Sequence, residues 1–352
     1  MPTETAQDAP ATNRRIVLRS RPEGLPSDTD FERNDDAVPE PAEGEAVMKT
    51  AYLSIDPTIR TWISEARSYF PPVALGEVVR CSGSGVIVAT NCDAYAVGDL
   101  VYSLPGWQDY AIVRDDPFTT KFPPGTDLLP VLSIFGATGM AAYFGLLDIG
   151  RPELGQIVVV SGAAGATGSI AGQIAKIQGC RVVGIAGSPE KCAWVTDDLG
   201  FDACIDYHSP TFAADLRDAT PDRIDVYFDN VGGAILDAAL GRLAMHGRVV
   251  LSGAISVYND EHKPPGPSNY LNLITMRGRM EGFNAFDYWD RLDAALAQLA
   301  DWVAEGKLVR RETIVAGLER APEALRMLFT GGNIGKLIVR VGDPTDQPSD
   351  TT

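Results

Sequence analysis

The sequence predicts an α/β protein with two domains, in which a doubly wound parallel sheet follows a β-rich domain. Three observations predict this class. From residue 157 onward, apolar strand-like runs alternate with stretches of helical spacing, which is typical of a parallel sheet covered by helices on both faces. Between residues 46 and 113, short apolar runs alternate with Gly, Pro and Asp, as in an all-β domain. A chain of 352 residues is long enough for two separate hydrophobic cores.

The β-rich part is predicted to begin with a strand at Ile16–Leu18, followed by a loop rich in Pro, Asp and Glu that extends to Glu45. Further strands are predicted at the apolar runs Ala46–Met48, Val78–Val79, Gly85–Val88, Leu100–Tyr102 and Tyr110–Val113. Arg60–Ile63 is predicted to form a helical turn. We interpret these elements as a small barrel-like domain that ends near Ile134.

The stretch from Gln156 to Gly187 predicts a nucleotide-binding βαβ unit. Ile157–Val160 is a short β-branched run that suits a strand buried on both faces. The small residues Ser161–Gly168 follow, and then isoleucines recur at helical spacing until Gly179. A second strand is predicted at Arg181–Ile185. Glycines allow the backbone to approach a pyrophosphate, and a helix that starts at Gly168 would direct free amide groups at it.

The glycine pattern is a weak signal when it stands alone. The run GAAGATG departs from GxGxxG, because Ala163 and Ala164 precede the central glycine. Its position between a buried strand and an amphipathic helix is the context that the motif requires, and it favours a dinucleotide site. The alternative is a tight turn in a sheet protein that binds no nucleotide.

The end of the second strand predicts which dinucleotide binds. Sites for NAD usually carry an acidic residue there, whereas this chain has Ala186–Ser188. Lys191 follows in the next helix, and Tyr207 ends the third strand. A small strand end with a cation and a phenol nearby suits a 2′-phosphate, so we expect NADP(H). Taken singly, Lys191 could be a solvated helix lysine and Tyr207 a half-buried strand aromatic.

The remaining elements continue the α/β pattern. Helical spacing occurs at Leu132–Gly150, and Ser188 with Pro189 predicts the start of another helix. Later strands are predicted at Phe201–Tyr207, Asp225–Asn230 and Gly247–Leu251. Asp287–Glu305 is predicted to be a long amphipathic helix with one apolar face formed by Leu292, Leu296, Leu299 and Val303. The strand Lys336–Val341 is expected to return to the first domain.

Composition limits the partners and the compartment. A formal net charge of −17 disfavours nucleic acid and anionic membranes as partners. The five cysteines are widely spread and the three histidines lack metal-ligand spacing, so we expect free thiols, no metal and a reducing compartment. The N-terminal 15 residues have no apolar segment for export, and no run is long enough to span a membrane. We expect a cytoplasmic protein.

A series of strings resembles the medium-chain dehydrogenase/reductase superfamily. The local match is to its zinc-free branch of leukotriene B4 dehydrogenases, prostaglandin reductases and alkenal double-bond reductases. The strings span residues 16 to 341 in order: LSIDPTIR (53–60), AAYFGL (141–146), VVSGAAGATGSIAGQIAKIQGCRVVGIAGSPEKC (159–192), YFDNVGG (227–233), GRVVLSGAISVYN (247–259), RMEGF (279–283) and GGNIGKLIVRV (331–341).

This resemblance implies a Rossmann NADP-binding domain over residues 136–312 and a GroES-like β-rich domain formed by residues 1–135 and 313–352. It also implies a homodimer. Leu75–Glu77 stands where zinc-dependent relatives carry a GHE string, so zinc-activated alcohol oxidation is not expected.

The resemblance also implies a set of cofactor contacts. The pyrophosphate would bind at Gly165, Ala166, Thr167 and Gly168, and the 2′-phosphate at Lys191 and Tyr207. The ribose and nicotinamide would be lined by Asn230, Ser252, Gly253, Ala254, Ile255, Ser256, Tyr258, Gly282, Phe283, Asn284 and Asn333. For Asn230 and Asn333, the alternative is a capping role in a loop.

The implied reaction is reduction of a carbon–carbon double bond conjugated to an aldehyde or ketone, with hydride added to the β-carbon and a proton to the α-carbon. Enolate charge develops on the carbonyl oxygen, so the enzyme needs a hydrogen-bond donor there. Tyr258 is the candidate for donating this bond or relaying the proton; the alternative is a tyrosine that only packs on the ribose. Thr58 departs from the aromatic residue common in the family, which leaves the particular enone or enal open.

Two other functions remain open at this point. A quinone reductase of the same superfamily would use the same NADPH site without a proton donor at Tyr258. A protein that binds NADPH without turnover would serve as a sensor or a structural protein, and it would oxidise NADPH with none of these substrates.

Overall fold

The computed structural model describes residues 12–262 and 264–342. The N-terminal part contains seven strands and one short α-helix in these residues: β1 (Thr12–Leu18), β2 (Phe31–Ala37), β3 (Glu45–Ser54), α1 (Thr58–Trp62), β4 (Gly83–Thr90), β5 (Leu100–Ser103), β6 (Tyr110–Arg114) and β7 (Thr120–Phe122). A 3₁₀ turn at Asp28–Asp30 precedes β2.

The middle of the chain alternates strands with helices. Its elements are α2 (Leu128–Ser133), α3 (Ala137–Phe144), a π-helical turn at Gly145–Gly150, β8 (Ile157–Ser161), α4 (Ala166–Ile177), β9 (Arg181–Ala186), α5 (Pro189–Asp197), β10 (Ala203–Asp206), α6 (Phe212–Ala219), β11 (Ile224–Asp229), α7 (Gly233–Gly241), β12 (Leu243–Leu251), α8 (Asn272–Thr275), β13 (Arg279–Gly282) and α9 (Leu292–Ala304). Short 3₁₀ segments lie at Ile255–Val257, Ser268–Leu271 and Ala285–Arg291.

The end of the chain returns to the N-terminal part. It consists of β14 (Glu312–Ala316), a 3₁₀ turn at Leu318–Arg320, α10 (Ala321–Thr330) and β15 (Lys336–Arg340). β15 pairs antiparallel with β3, with Ile338 opposite Ser54, and β14 lies parallel beside it. The resulting seven-stranded sheet runs β14-β15-β3-β4-β5-β7, with β6 also on β3. The predicted return of the last strand is therefore confirmed.

The six-stranded sheet is parallel throughout, in the order β10-β9-β8-β11-β12-β13. In chain order this is 3-2-1-4-5-6, the doubly wound arrangement that the sequence predicts. All five residues of β8 are buried. Val158 and Val160 face the α3, α4 and α9 side, whereas Ile157 and Val159 face the α6 and α7 side. β8 and β11 are the two central strands, and the order of strands along the chain reverses between them.

Several sequence predictions need correction. β2, FERNDDA, was expected to be loop; it pairs with β1 as an exposed, mostly polar strand, so no apolar alternation reveals it. Val78 forms an isolated bridge with Val17 rather than part of a strand. The long helix begins at Leu292 instead of Asp287, because the backbone at Tyr288 leaves helical geometry. β14 was not predicted at all.

Candidate active site

The strand order reverses between β8 and β11, and doubly wound sheets bind ligands in the crevice outside the carboxyl ends of the strands at such a point. Gly162 follows β8 with φ of +59°, a conformation that favours glycine. A Cβ added at Gly168 would clash with the Gly162 carbonyl oxygen, so the turn packs directly on the helix. The first backbone hydrogen bond of α4 runs from Ser169 N to Gly165 O at 3.0 Å.

The helix therefore begins at Ala166, not at Gly168 as the sequence analysis expected, and Gly165 is its N-cap. The amide groups of Ala166, Thr167 and Gly168 precede the first hydrogen bond of the helix. Free amide groups at a helix N-terminus, together with the helix dipole, form an anion-binding cradle. Gly165 to Gly168 thus have the geometry that a pyrophosphate requires.

The loop before β15 closes one side of this cradle. Gly335 N donates to Ala164 O at 2.8 Å, and Gly335 bridges to Gly165. Asn333 lies in the same loop, and its side-chain amide donates to Gly335 O at 2.9 Å. The structure therefore brings Asn333 to the glycine turn, although the contact it makes there is a loop-stabilising one.

The end of β9 has the small, uncharged surface that the sequence indicates. A Cβ on Gly187 would lie 2.9 Å from the phenolic oxygen of Tyr207, so the phenol lies directly over this backbone. Ser188 caps α5 by accepting a bond from Lys191 N at 3.2 Å. Lys191 Nζ donates to Gly331 O at 3.0 Å and, among the described residues, pairs with no carboxylate. An ammonium and a phenol beside this strand end fit a 2′-phosphate.

Burial lowers the pKa of Lys191, and Glu190 opposes that shift only in part. An anion beside Lys191 would restore the charged form by direct ion pairing.

Asn230 and the loop after β12 are fastened together at the end of β11. Asn230 Nδ2 donates to Ser161 O at 2.7 Å, and Asn230 N donates to Ser161 Oγ at 2.9 Å. Ser252 N and Gly253 N donate to Asp229 O at 2.9 and 3.0 Å. Ile255 N then donates to Asn230 O at 3.3 Å. Ser256 is bound to Val231 O through its hydroxyl at 2.6 Å.

Three of the residues that the resemblance implies as cofactor contacts, Gly282, Phe283 and Asn284, lie at the end of β13. Gly282 has open space around its α-carbon, whereas the Phe283 ring packs on Gly145 of the π-helical turn. Asn284 Oδ1 accepts a bond from Phe286 N at 3.1 Å and so begins the following 3₁₀ segment. Phe283 and Asn284 therefore have structural partners of their own at this edge of the crevice.

Tyr258 follows the 3₁₀ segment Ile255–Val257 in the loop after β12. Its phenolic oxygen accepts a hydrogen bond from Ala254 N at 3.0 Å. Burial raises the pKa of Tyr258, the Ala254 amide lowers it, and the negative charge of Asp229 raises it further. The phenol is therefore protonated at neutral pH, with its oxygen held by Ala254 and its proton free to be donated.

A second phenol, that of Tyr69, approaches from the β-rich part of the chain. Tyr69 is close enough to Tyr258 for the two to interact electrostatically, and Thr58 lies near its hydroxyl. Desolvation of the hydroxyl raises the pKa of Tyr69 to about 12, although 51% of the surface of the residue is accessible. No spacing motif marks Tyr69, so only the folded chain reveals that the two phenols face the same space.

An aromatic wall, formed by Trp62, Tyr69, Phe70, Phe118 and Phe286, connects the two parts of the chain. Phe286, which follows β13, lies 6.1 Å from Tyr69, 5.4 Å from Phe70 and 5.7 Å from Phe118 between ring centroids. A cavity behind Phe286 is lined mainly by the apolar and aromatic side chains of Tyr102, Phe122, Met140, Phe144 and Leu296. This surface suits an apolar substrate with few polar groups.

No three His, Cys, Asp or Glu side chains among the described residues gather closely enough to hold a metal ion. No helix in this part of the chain is long and apolar enough to cross a membrane.

Two family models match the chain. One is described as the N-terminal domain of oxidoreductase and covers residues 14–120, and the other is described as zinc-binding dehydrogenase and covers residues 166–301.

Characterised relatives match nearly the whole chain. The NADPH-dependent curcumin reductase of Escherichia coli K12 is 41% identical over 334 residues, which are 94% of this chain and 97% of the relative. The NADP(+)-dependent 2-alkenal reductase of Nicotiana tabacum is 38% identical over 339 residues, 94% of this chain and 98% of the relative. The crystal structure of CurA from Vibrio vulnificus in complex with NADPH has a TM-score of 0.90 at 41% identity, covering 94% of this chain and 100% of that one.

Proposed function

The chain belongs to the zinc-free medium-chain dehydrogenases/reductases, and from this membership we propose that it reduces the carbon–carbon double bond of α,β-unsaturated aldehydes and ketones with NADPH. It is an NADP-dependent oxidoreductase with a Rossmann cofactor domain and a β-rich domain. We propose that the boundaries between the two domains lie between residues 135 and 136 and between residues 312 and 313. The glycine turn, Lys191 and Tyr207 would hold the cofactor at its phosphates, and the bound cofactor supplies the hydride.

The observation that carries this proposal is the position of the Tyr258 hydroxyl at the switch-point crevice. Conjugate reduction places negative charge on the substrate's carbonyl oxygen, and a neutral donor aimed at that oxygen stabilises it. The Ala254 amide occupies one side of the phenolic oxygen and so orients the O–H bond away from the loop. Tyr258 thus donates a hydrogen bond to the enolate oxygen, or relays the proton that reaches the α-carbon.

The aromatic wall supports a flat, apolar substrate. Its rings come from both parts of the chain, so a substrate between them would be shielded from water on two sides. Exclusion of water strengthens each hydrogen bond in the site. We propose aryl enones and medium-chain 2-alkenals as the substrate classes.

The decisive test is NADPH oxidation with trans-2-alkenals, aryl enones and simple quinones in parallel, with product masses measured. We expect saturated carbonyl products from the enones and enals, and weaker oxidation with NADH. Turnover with quinones alone would replace the proposal with a quinone reductase, and tight NADPH binding without any turnover would leave only a binding role.

We further propose a cytoplasmic homodimer. β13 is the outer strand of the parallel sheet and, among the strands that the structure describes, pairs with β12 alone, so its other edge can take a further strand. Leu271 and Ile274 are exposed close by, with 56% and 72% of their surface accessible. All five cysteines are free thiols, which favours a reducing compartment. Light scattering should give twice the chain mass, and Ile274→Asp should shift it toward one chain mass; a monomer in the parent protein would contradict the dimer.

A further inference from the structure

Asp229 ends β11 as a buried carboxylate, with 1% of its surface exposed. Its hydrogen bonds all meet at one oxygen. Oδ1 accepts bonds from the hydroxyls of Ser161 and Tyr227, both at 2.9 Å, and from the amides of Val231 and Gly232 at 3.1 and 3.0 Å. The second oxygen, Oδ2, is also buried and has no hydrogen-bond partner within residues 12–262 and 264–342.

The charge of this carboxylate is uncompensated. No lysine or arginine in the described ranges lies within ion-pair distance of Asp229. Burying a charge without a partner is costly, so its presence needs a reason. Hydrogen bonding alone does not supply one, because an asparagine carbonyl could accept the same four bonds through one oxygen. Relative to asparagine, aspartate adds a negative charge and has a second acceptor oxygen in place of an amide NH₂ group.

Asp229 lies at the end of the crevice where Tyr258 is held, so its charge acts there. Ser161, which donates to Asp229, is the last residue of β8, and the two strand ends flank the switch point. The peptide oxygen of Asp229 holds the loop that carries Tyr258, and its charge raises the pKa of that phenol. Lys191, by contrast, follows β9 and lies toward the phosphate end.

We propose that the Asp229 carboxylate stabilises the oxidised, cationic nicotinamide relative to the reduced, neutral one. The inference rests on the proposed NADPH-dependent function. Hydride donation leaves a positive charge on a nicotinamide ring, so a nearby anion favours the ring after donation and the partly charged ring during it. The unpartnered Oδ2 leaves the field of the carboxylate less neutralised by local donors than a fully hydrogen-bonded group would be.

The test compares the binding of NADP⁺ and NADPH to the intact protein. Asp229→Asn keeps an acceptor for all four donors, removes the charge and replaces the unpartnered Oδ2 by an amide NH₂ group. We expect the ratio of the NADP⁺ to the NADPH dissociation constant to rise about fivefold to tenfold, because the removed negative charge no longer favours the cationic ring over the neutral one. NADPH binding is followed by its fluorescence, and NADP⁺ binding by competition.

Two sets of variants separate charge from structure. Tyr227→Phe removes one donor to Oδ1 while keeping the carboxylate, so the ratio should stay within about twofold of the parent value. If Asp229→Asn does not fold, Asp229→Glu and Asp229→Gln form a second pair, matched in size, in which only the glutamate variant should retain the parent ratio.

The outcomes also distinguish this inference from the proposed function. Equal weakening of both cofactor forms, or equal ratios in the glutamate and glutamine variants, would overturn the electrostatic role and leave the reductase proposal standing. Failure of the parent protein to bind NADPH at all would overturn both.

Discussion

The amide of Ala254 donates a hydrogen bond to the phenolic oxygen of Tyr258 over 3.0 Å. This bond fixes the oxygen within its own loop, and burial keeps the phenol protonated by raising its pKa above the ordinary value. Because the Ala254 amide is the donor in this bond, it positions the Tyr258 hydroxyl while the phenolic proton stays available for the substrate. A phenol held in this way can serve as a neutral hydrogen-bond donor at neutral pH.

Tyr258→Phe should lower kcat for an aryl enone about 100-fold, because it removes the proton donor and leaves the ring in place. NADPH affinity, measured by fluorescence titration, should change less than about threefold. Tyr270→Phe, at a tyrosine with 54% of its surface exposed, is the matched control and should behave like the parent protein. Unchanged kcat in Tyr258→Phe would make the tyrosine a packing residue only.

Lys191→Gln should raise the NADPH dissociation constant about tenfold to a hundredfold, because it removes a charge-assisted contact to the 2′-phosphate. NADH binding should change little, since NADH lacks that phosphate. Lys307→Gln serves as the control, because Lys307 is exposed and forms its ion pair with Glu305 on the surface. Equal losses for both cofactors would show that Lys191 supports the fold through Gly331 rather than reading the phosphate.

Much of this site could be predicted from the sequence, because its parts follow one another along the chain. The buried strand β8, its glycine turn and the helix at Ala166 form a continuous stretch, and the absence of an acid after β9 is a local signal. The strand order and the crevice then follow from the alternation of strands and helices.

The missed parts depend on contacts between distant segments or on polar patterns. Tyr69 approaches Tyr258, and Phe286 approaches Phe118, only after the two sheets come together. Asp229 lies in the string YFDNVGG, but the spacing of residues could not show that four hydrogen-bond donors meet at one of its oxygens. β2 escaped prediction because only its first residue is buried.

Lys336→Met should lower the free energy of unfolding by about 3 to 5 kcal/mol, because it breaks a buried ion pair and leaves one charge alone. Lys336 Nζ lies 2.7 Å from Asp56 Oδ1 and 3.0 Å from Ile55 O, with 1% of its side chain exposed. Urea denaturation measures the change. Lys307→Met breaks an exposed pair and should cost less than about 1 kcal/mol, and a similar small loss at Lys336 would contradict the expectation.

Tyr102→Phe should make the protein less sensitive to alkali. Burial raises the pKa of Tyr102 to about 12, whereas an unfolded tyrosine titrates near 10. The folded state therefore holds its proton where the unfolded state loses it, so stability falls as pH rises from 10 toward 12. The loss at this site is on the order of 2 kcal/mol. Urea unfolding at pH 8, 10 and 11 should show a smaller decline in the variant, and parallel declines would disprove the assignment.

Phe286→Ala should raise KM for an aryl enone about tenfold while affecting a short 2-alkenal much less. Phe286 is the ring through which the cofactor side of the crevice contacts Tyr69, Phe70 and Phe118, and it also borders the apolar cavity. Its removal opens the wall and takes away stacking area that only a large flat substrate would use. Phe286→Leu restores part of the apolar surface without a ring and should give an intermediate KM. Equal increases of KM for both substrates would indicate a general loosening between the two parts of the chain rather than a role in substrate selection.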